Sequence, residues 1–177
     1  MSSFAIRFKS VVLPESLERI GRHTFSGCSS LESVYVPESV SFIGSGAFYK
    51  TPITERRDNE FVTLGGGVLT SCLAPGKDVT VPNDVRIIGE NAFSQLFEMK
   101  SVTIPEGVVH ICDLAFEGCI SLERAELPST LEHIGSRAFV DCQALESIDL
   151  PEELRSIGTD AFYGTAKLLQ DHSPVVI

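Results

Sequence analysis

The 177-residue sequence has no tryptophan, no long apolar run and a deficit of positive charge. Lys and Arg number 14 against 24 Asp and Glu, for a net charge of −10. A surface of that sign repels phosphate and argues against a nucleic-acid partner. No stretch approaches the roughly 18 apolar residues that a membrane-crossing helix needs, so membrane insertion is not expected. The opening residues, MSSFAIRFKS, have no charged head followed by an apolar stretch, and no signal peptide is visible in this chain. The 43% hydrophobic content is nevertheless enough to bury a core, and length alone allows one or two ordinary domains.

What the sequence does have is self-similarity. It reads VVLPESLERIGRHTFSGCSSLES from Val11 and VYVPESVSFIGSGAFYK from Val34, and then the pattern breaks. It resumes as VTVPNDVRIIGENAFSQLFEMKS from Val79, VTIPEGVVHICDLAFEGCISLER from Val102, AELPSTLEHIGSRAFVDCQALES from Ala125 and IDLPEELRSIGTDAFYGT from Ile148. Successive starts differ by 23, 45, 23, 23 and 23 residues. Such a register makes residues 1–177 a single solenoid domain, each copy one coil.

Within a coil, Val34 and Val36 lie on one side of an extended strand because side chains alternate. Pro14, Pro37, Pro82, Pro105, Pro128 and Pro151 end those strands, since proline cannot donate the next ladder bond. A second apolar cluster ends in Ile-Gly, where Gly21, Gly44, Gly89, Gly135 and Gly158 are read as allowing a bend. A short helical or 3-10 turn is expected next, with Phe25, Phe48, Phe93, Phe116, Phe139 and Phe162 stacking inside as a spine. One coil cannot bury its apolar face alone, but neighbours about 4.8 Å apart can.

The break, residues 51–78, is long enough to replace most of one coil. Phe61–Thr63 and Val68–Thr70 read as short strands around Gly65, Gly66 and Gly67, a hairpin pattern. Those glycines are not a phosphate loop: no Lys-Ser/Thr follows and no G-x-G-x-x-G opens a helix.

The unit Φ-x-Φ-Pro-Glu-x-Φ-x-x-Ile-Gly-x-x-Ala-Phe-x-Gly-Cys-x-x-Leu resembles the BspA-like class of leucine-rich repeats over residues 8–165. Ala47-Phe48-Tyr49-Lys50-Thr51 resembles the family's lead into an irregular island, and Ala161-Phe162-Tyr163-Gly164-Thr165 does so again. The resemblance implies a leucine-rich-repeat solenoid with a parallel β-sheet on its concave face and short strands and turns on the convex side. It further implies a non-enzymatic, bacterial-type surface or secreted protein that adheres to or binds a protein ligand such as a host extracellular-matrix protein. A cytoplasmic location is the alternative. Three departures stand out. The position usually held by asparagine is Ser16, Ser39, Asp84, Gly107, Thr130 or Glu153, so no asparagine ladder is expected. Cys112 replaces the bend glycine and Ala125 a branched strand residue, so irregularity is expected in the fourth and fifth coils.

Cys28, Cys119 and Cys142 share a column with Thr51, Leu96 and Thr165, which marks a buried position of small to medium size. Stacked side chains point the same way, a poor geometry for a disulfide, and either redox compartment is allowed. Cys72, in the insert, is the expected exposed thiol. His110 and His133 share a column two residues from Cys112, which could begin a zinc site. No carboxylate joins that column, so a solvated or half-buried pair is the simpler reading. No cofactor is expected, nor catalysis, because a repeat distributes equivalent residues along a face whereas a triad needs unlike ones in one cleft.

The remaining surface is the concave strip: Ser33 and Tyr35, Asp78 and Thr80, Ser101 and Thr103, Arg124 and Glu126, Ser147 and Asp149. Tyr35 with Arg56, Arg57 and Phe61 is the expected hot patch, since aromatics and Arg dominate interface energies. Two functions stay open: a protein-binding module, or a spacer or fragment of a longer array. Phe8, Val11 and Leu13 continue the repeat without a polar cap, which leaves the N-terminal end open to self-association. The tail 166–177 reads as a small cap with a last strand edge at Pro174-Val-Val-Ile.

Overall fold

The period of 23 residues becomes a pair of strands per coil. In the computed structural model, which describes residues 8–55, 60–73 and 76–165, the first two coils supply β1 (Ser10–Val12), β2 (Arg19–Ile20), β3 (Ser33–Tyr35) and β4 (Phe42–Ile43). The insert supplies a 3-10 turn at Pro52–Glu55, then β5 (Phe61–Leu64) and β6 (Val68–Cys72). The later coils give β7 (Asp78–Thr80), β8 (Ile87–Ile88), β9 (Ser101–Thr103), β10 (His110–Ile111), β11 (Arg124–Glu126), β12 (His133–Ile134) and β13 (Ser156–Ile157). The tail expected to cap the array lies outside the described residues.

Coils stack in parallel at the repeat register. Ser33 pairs with Ser10, Ser101 with Asp78, and Arg124 with Ser101. The middle residue of each such strand points inward, so Val34, Val79, Val102 and Ala125 are buried between exposed or half-exposed neighbours. The second strands of the later coils join the insert's β5 and β6 in a six-stranded sheet of order β13-β12-β10-β8-β6-β5, while β2 and β4 pair as a separate sheet. Leu69, Ile88, Ile111, Ile134 and Ile157 line its inner face, toward the phenylalanine column. Neither Cys112 nor Ala125 disturbs this: β9 with β11 and β10 with β12 keep the register, contrary to the irregularity expected in those coils.

The insert does stand in for a coil. β5 and β6 form an antiparallel hairpin, and β6 then pairs in parallel with β8, Val68 beside Ile87 and Leu69 beside Ile88. The hairpin also divides the array. Phe25 stacks on Phe48 at 5.5 Å, while Phe93, Phe116, Phe139 and Phe162 form a separate column with centroids 4.7 to 5.4 Å apart. The strands expected to line one concave strip are likewise split, β1-β3 in one sheet and β7-β9-β11 in another.

The turn around each phenylalanine is not helical, and the 3-10 turn at Pro52–Glu55 is the only helical element among the described residues. Its amides alternate between bonds along the chain and bonds across coils: the N–H of Ser94 donates to Asn91 O at 3.1 Å, while the N–H of Phe93 donates to Ala115 O, of Phe116 to Ala138 O, and of Phe139 to Ala161 O, at 2.7 to 2.8 Å. Left-handed residues flank each turn, such as Asn91 and Gln95, Leu114 and Gly118, or Arg137 and Asp141. Two of them per coil prevent the run of right-handed angles that a helix requires. Gly135 serves another purpose than bending. Its φ is not positive, but a Cβ there would lie 2.4 Å from the Asp113 amide nitrogen of the coil below.

Candidate functional site

Five of the outward strip residues pair with one another across β7, β9 and β11. On β9 and β11, Thr103 donates to Glu126 at 3.0 Å, Arg124 pairs with Glu126 at 2.7 Å, and Ser101 donates to Asp78 at 2.7 Å. Thr103, Arg124 and Glu126 therefore share one sheet. Ser33 and Tyr35 lie on β3 in the other. Asp149 is in no strand; it borders an open groove with Glu106, Glu152 and Glu153, beside the bridge of Ser147 to Arg124. Tyr35 is 52% exposed and lies against Gly65 of the hairpin, with its backbone bridged to that residue. Phe61 is half-buried in β5, and Arg56 and Arg57 lie outside the described residues. Of the expected hot patch, Tyr35 alone is well exposed among these described residues.

Two side chains for which the sequence assigned no role bind coil to coil. Ser39 donates its hydroxyl proton to Leu17 O at 2.7 Å, and Thr130 to Val108 O at 2.9 Å, while Thr130 also accepts from the Gly107 amide. They occupy the position where leucine-rich repeats usually carry asparagine. Hydroxyls thus take over part of the ladder that the sequence seemed to lack; the signal was there, since Ser and Thr can bond backbone as Asn does.

A second set of non-repeat contacts forms a seam between the first two coils and the outer face of the six-stranded sheet. Arg86 reaches across it, donating to Val40 O at 2.8 Å and Pro37 O at 2.9 Å, and burial lowers its pKa from the ordinary value. Glu90 accepts from the Ser45 hydroxyl at 3.0 Å and from the Gly46 amide. Phe42 of β4 stacks on His110 of β10, centroids 4.8 Å apart, under the guanidinium of Arg19. Ile43, Phe48, Val68, Thr70, Glu90 and Cys112 help line a cleft of about 210 Å³ along the same seam.

This seam accounts for the three candidate metal ligands. His110 and His133 pair in register, their rings 5.8 Å apart and edge to face. His110 is 1% exposed rather than solvated, because the outer face it occupies is covered by β4. Its Nδ1 accepts the Ile43 amide at 3.3 Å. The Cys112 thiol lies 3.6 Å from Ile43 O, and burial pushes its pKa up. Each is engaged with β4, and no group of three His, Cys, Asp or Glu residues converges among the described residues.

All five cysteines are free thiols. Cys119 and Cys142 donate to Phe93 O and Phe116 O at 3.0 and 3.2 Å, and Cys142 is pushed up by its hydrogen bond with Cys119 and then by burial. Cys72, the expected exposed thiol, is only 5% exposed, because β6 packs into the array as a coil strand rather than looping away. Titrating the folded protein with a thiol reagent at neutral pH should therefore give one fast reaction, at Cys28, with the other four much slower than in the denatured chain. A fast second thiol at Cys72 would contradict this placement.

Comparison with known proteins follows the same repeat. The BspA-type leucine-rich-repeat region matches in 6 copies over residues 3–72 and 62–173. The crystal structure of a T. pallidum leucine-rich-repeat protein is 34% identical, covers 54% of this chain and 47% of its own, and superposes with a TM-score of 0.53. A leucine-rich cell surface protein of Faecalibacterium prausnitzii is 24% identical over 89% of this chain and 52% of its own, with a TM-score of 0.57. The pneumococcal vaccine antigen PcpA is 22% identical over 89% and 49%, also at 0.57. The last two likenesses concern the fold alone. The chain spans about half the length of these three solved proteins. No curated protein matches the sequence.

Proposed function

The chain belongs to the BspA-type leucine-rich-repeat family, and from that premise we propose that it is a non-enzymatic protein-binding module of a bacterial-type surface or secreted protein. The observation carrying this reading is the outward face of β7-β9-β11, where the exposed or half-exposed side chains of Asp78, Ser101, Thr103, Arg124 and Glu126 are held in place by one another. Side chains already ordered lose little further freedom on binding, which favours recognition of a flat protein surface. Tyr35, exposed at the break between the two sheets, adds an aromatic anchor. The ligand class best suited is a protein with exposed polar and basic groups, such as a host extracellular-matrix protein, given the net charge of −10.

The same pairing also favours a second reading, a spacer: a face whose donors and acceptors satisfy each other needs no ligand. Surface-captured matrix proteins distinguish the two. The parent chain is expected to bind, and Tyr35→Ala and Arg124→Ala to weaken binding about tenfold or more each, the range of interface hot spots. Equal binding by both variants would exclude this face, and no binding by the parent would favour the spacer.

A further inference from the structure

His110 is the buried ionisable group that the proposed binding role leaves unused, and it sits where the two coil stacks meet. Its ring fills the space between Phe42 above and the sheet behind, and its Nδ1 accepts the Ile43 amide proton. That bond fixes the neutral form with its proton on Nε2. A second proton would land on Nδ1, directly facing the Ile43 N–H, and two donors would then point at each other in a buried site. The remaining neighbours offer no compensation. From β2, Arg19 caps the other face of Phe42, so protonation would place two cations on one ring. From β12, His133 lies edge to face, with Glu132 beside it and Arg155 paired to that Glu132. From β8 comes the apolar Ile87, and from the chain after β10 the Cys112 thiol, with the charges of Asp113 and Glu90 near that thiol.

We propose that the seam is an acid-sensitive joint: protonating His110 loosens β4 from β10 and lets the first two coils lift from the sheet while both stacks remain folded. The geometry confines the effect to the seam, because His110 touches neither phenylalanine column. Burial, then His133 and Arg19, hold the His110 pKa down at about 3 in the closed form. Once opened, the ring regains an ordinary value near 6.5. A pKa lower closed than open means that protons favour the open form. The closed form is therefore fully favoured above about pH 6.5 and loses ground as pH falls toward 3.

Cysteines in the two regions report the difference. Cys112 lies in the seam, whereas Cys119 and Cys142 lie in the core of the longer stack. The full chain would be labelled with 4,4′-dithiodipyridine at pH 7.5 and 5.0, each rate taken relative to the chain unfolded in urea at the same pH, and sites assigned by peptide mass spectrometry. The relative rate of Cys112 is expected to rise about 30-fold at pH 5.0, the ratio set by an open-state pKa near 6.5. Cys119, Cys142 and the far-ultraviolet circular dichroism should not change. His110→Phe should abolish the rise, as should His110→Gln, which keeps an acceptor for Ile43 and does not titrate; the second guards against a misfolded first. An unchanged Cys112 rate, a joint rise of all three thiols, or a parental rise in the folded His110 variants would each overturn the proposal.

Discussion

Phe116→Ala is expected to lower the unfolding free energy by about 3–5 kcal/mol, the range for removing a fully buried aromatic ring. Phe116 is fully buried, with Phe93 and Phe139 stacked at 4.7 and 4.8 Å on its two faces. Alanine would leave a ring-sized void and strip both neighbours of their contact. The N–H of residue 116 would still reach Ala138 O, so the coil itself has no reason to rearrange and fill the gap. Domains of this size have net stabilities of roughly 5–15 kcal/mol, so the loss is a large share of the total. Phe25→Ala is the internal comparison: that ring is half-buried and stacked on Phe48 alone, at 5.5 Å, and should lose less than half as much. Urea denaturation followed by circular dichroism measures both. A loss below about 1 kcal/mol for Phe116→Ala would mean that the column is not the core of the array.

Gly66→Ala should destabilise by about 3 kcal/mol or more, combining a left-handed backbone with a steric clash. Gly66 has φ +84°, and a Cβ on it would overlap the carbonyl oxygen of Val36. The neighbouring amide of Val36 donates to Gly65 O at 2.9 Å, so the hairpin tip cannot retreat without breaking a bond to the second coil. Gly76→Ala is the control, since its nearest atom, Asp78 O, would be 3.7 Å from the new Cβ and its φ is not positive; it should change stability by less than about 0.5 kcal/mol. Thermal denaturation of the pair tests this. If the two variants melt alike, the glycine run is not what seats the hairpin on the second coil.

How much of this was legible depends on how far apart the touching residues are in the chain. Ser101 beside Arg124, or Phe116 beside Phe139, are one period apart, so the spacing alone puts them together. The hairpin was legible as well, because Gly65–Gly67 interrupts two apolar runs. Ile43 and His110 are separated by an interval that is not a single repeat, and no nearest-neighbour rule joins them. A trace was present: Phe42 and Ile87 are apolar in the outward column that elsewhere holds Arg19, His110, His133 and Ser156. Apolar residues in an outward column mark the coils that something covers. Cys72 was misplaced for the opposite reason, since an irregular sequence still supplied a regular strand.

The sideways contact through Arg86, Glu90 and His110 gives the array unequal tolerance to gene duplication. A further 23 residues inserted between the fifth and sixth coils would meet only its own neighbours and leave the older contacts as they are. The same insertion between the hairpin and the third coil would carry Arg86 away from Pro37 and Val40, and Glu90 away from Ser45 and Gly46. Lengthening by whole coils is thus open on the C-terminal side and barred at the break. Variation in repeat number among relatives that keep this seam is expected to accumulate beyond the fourth coil.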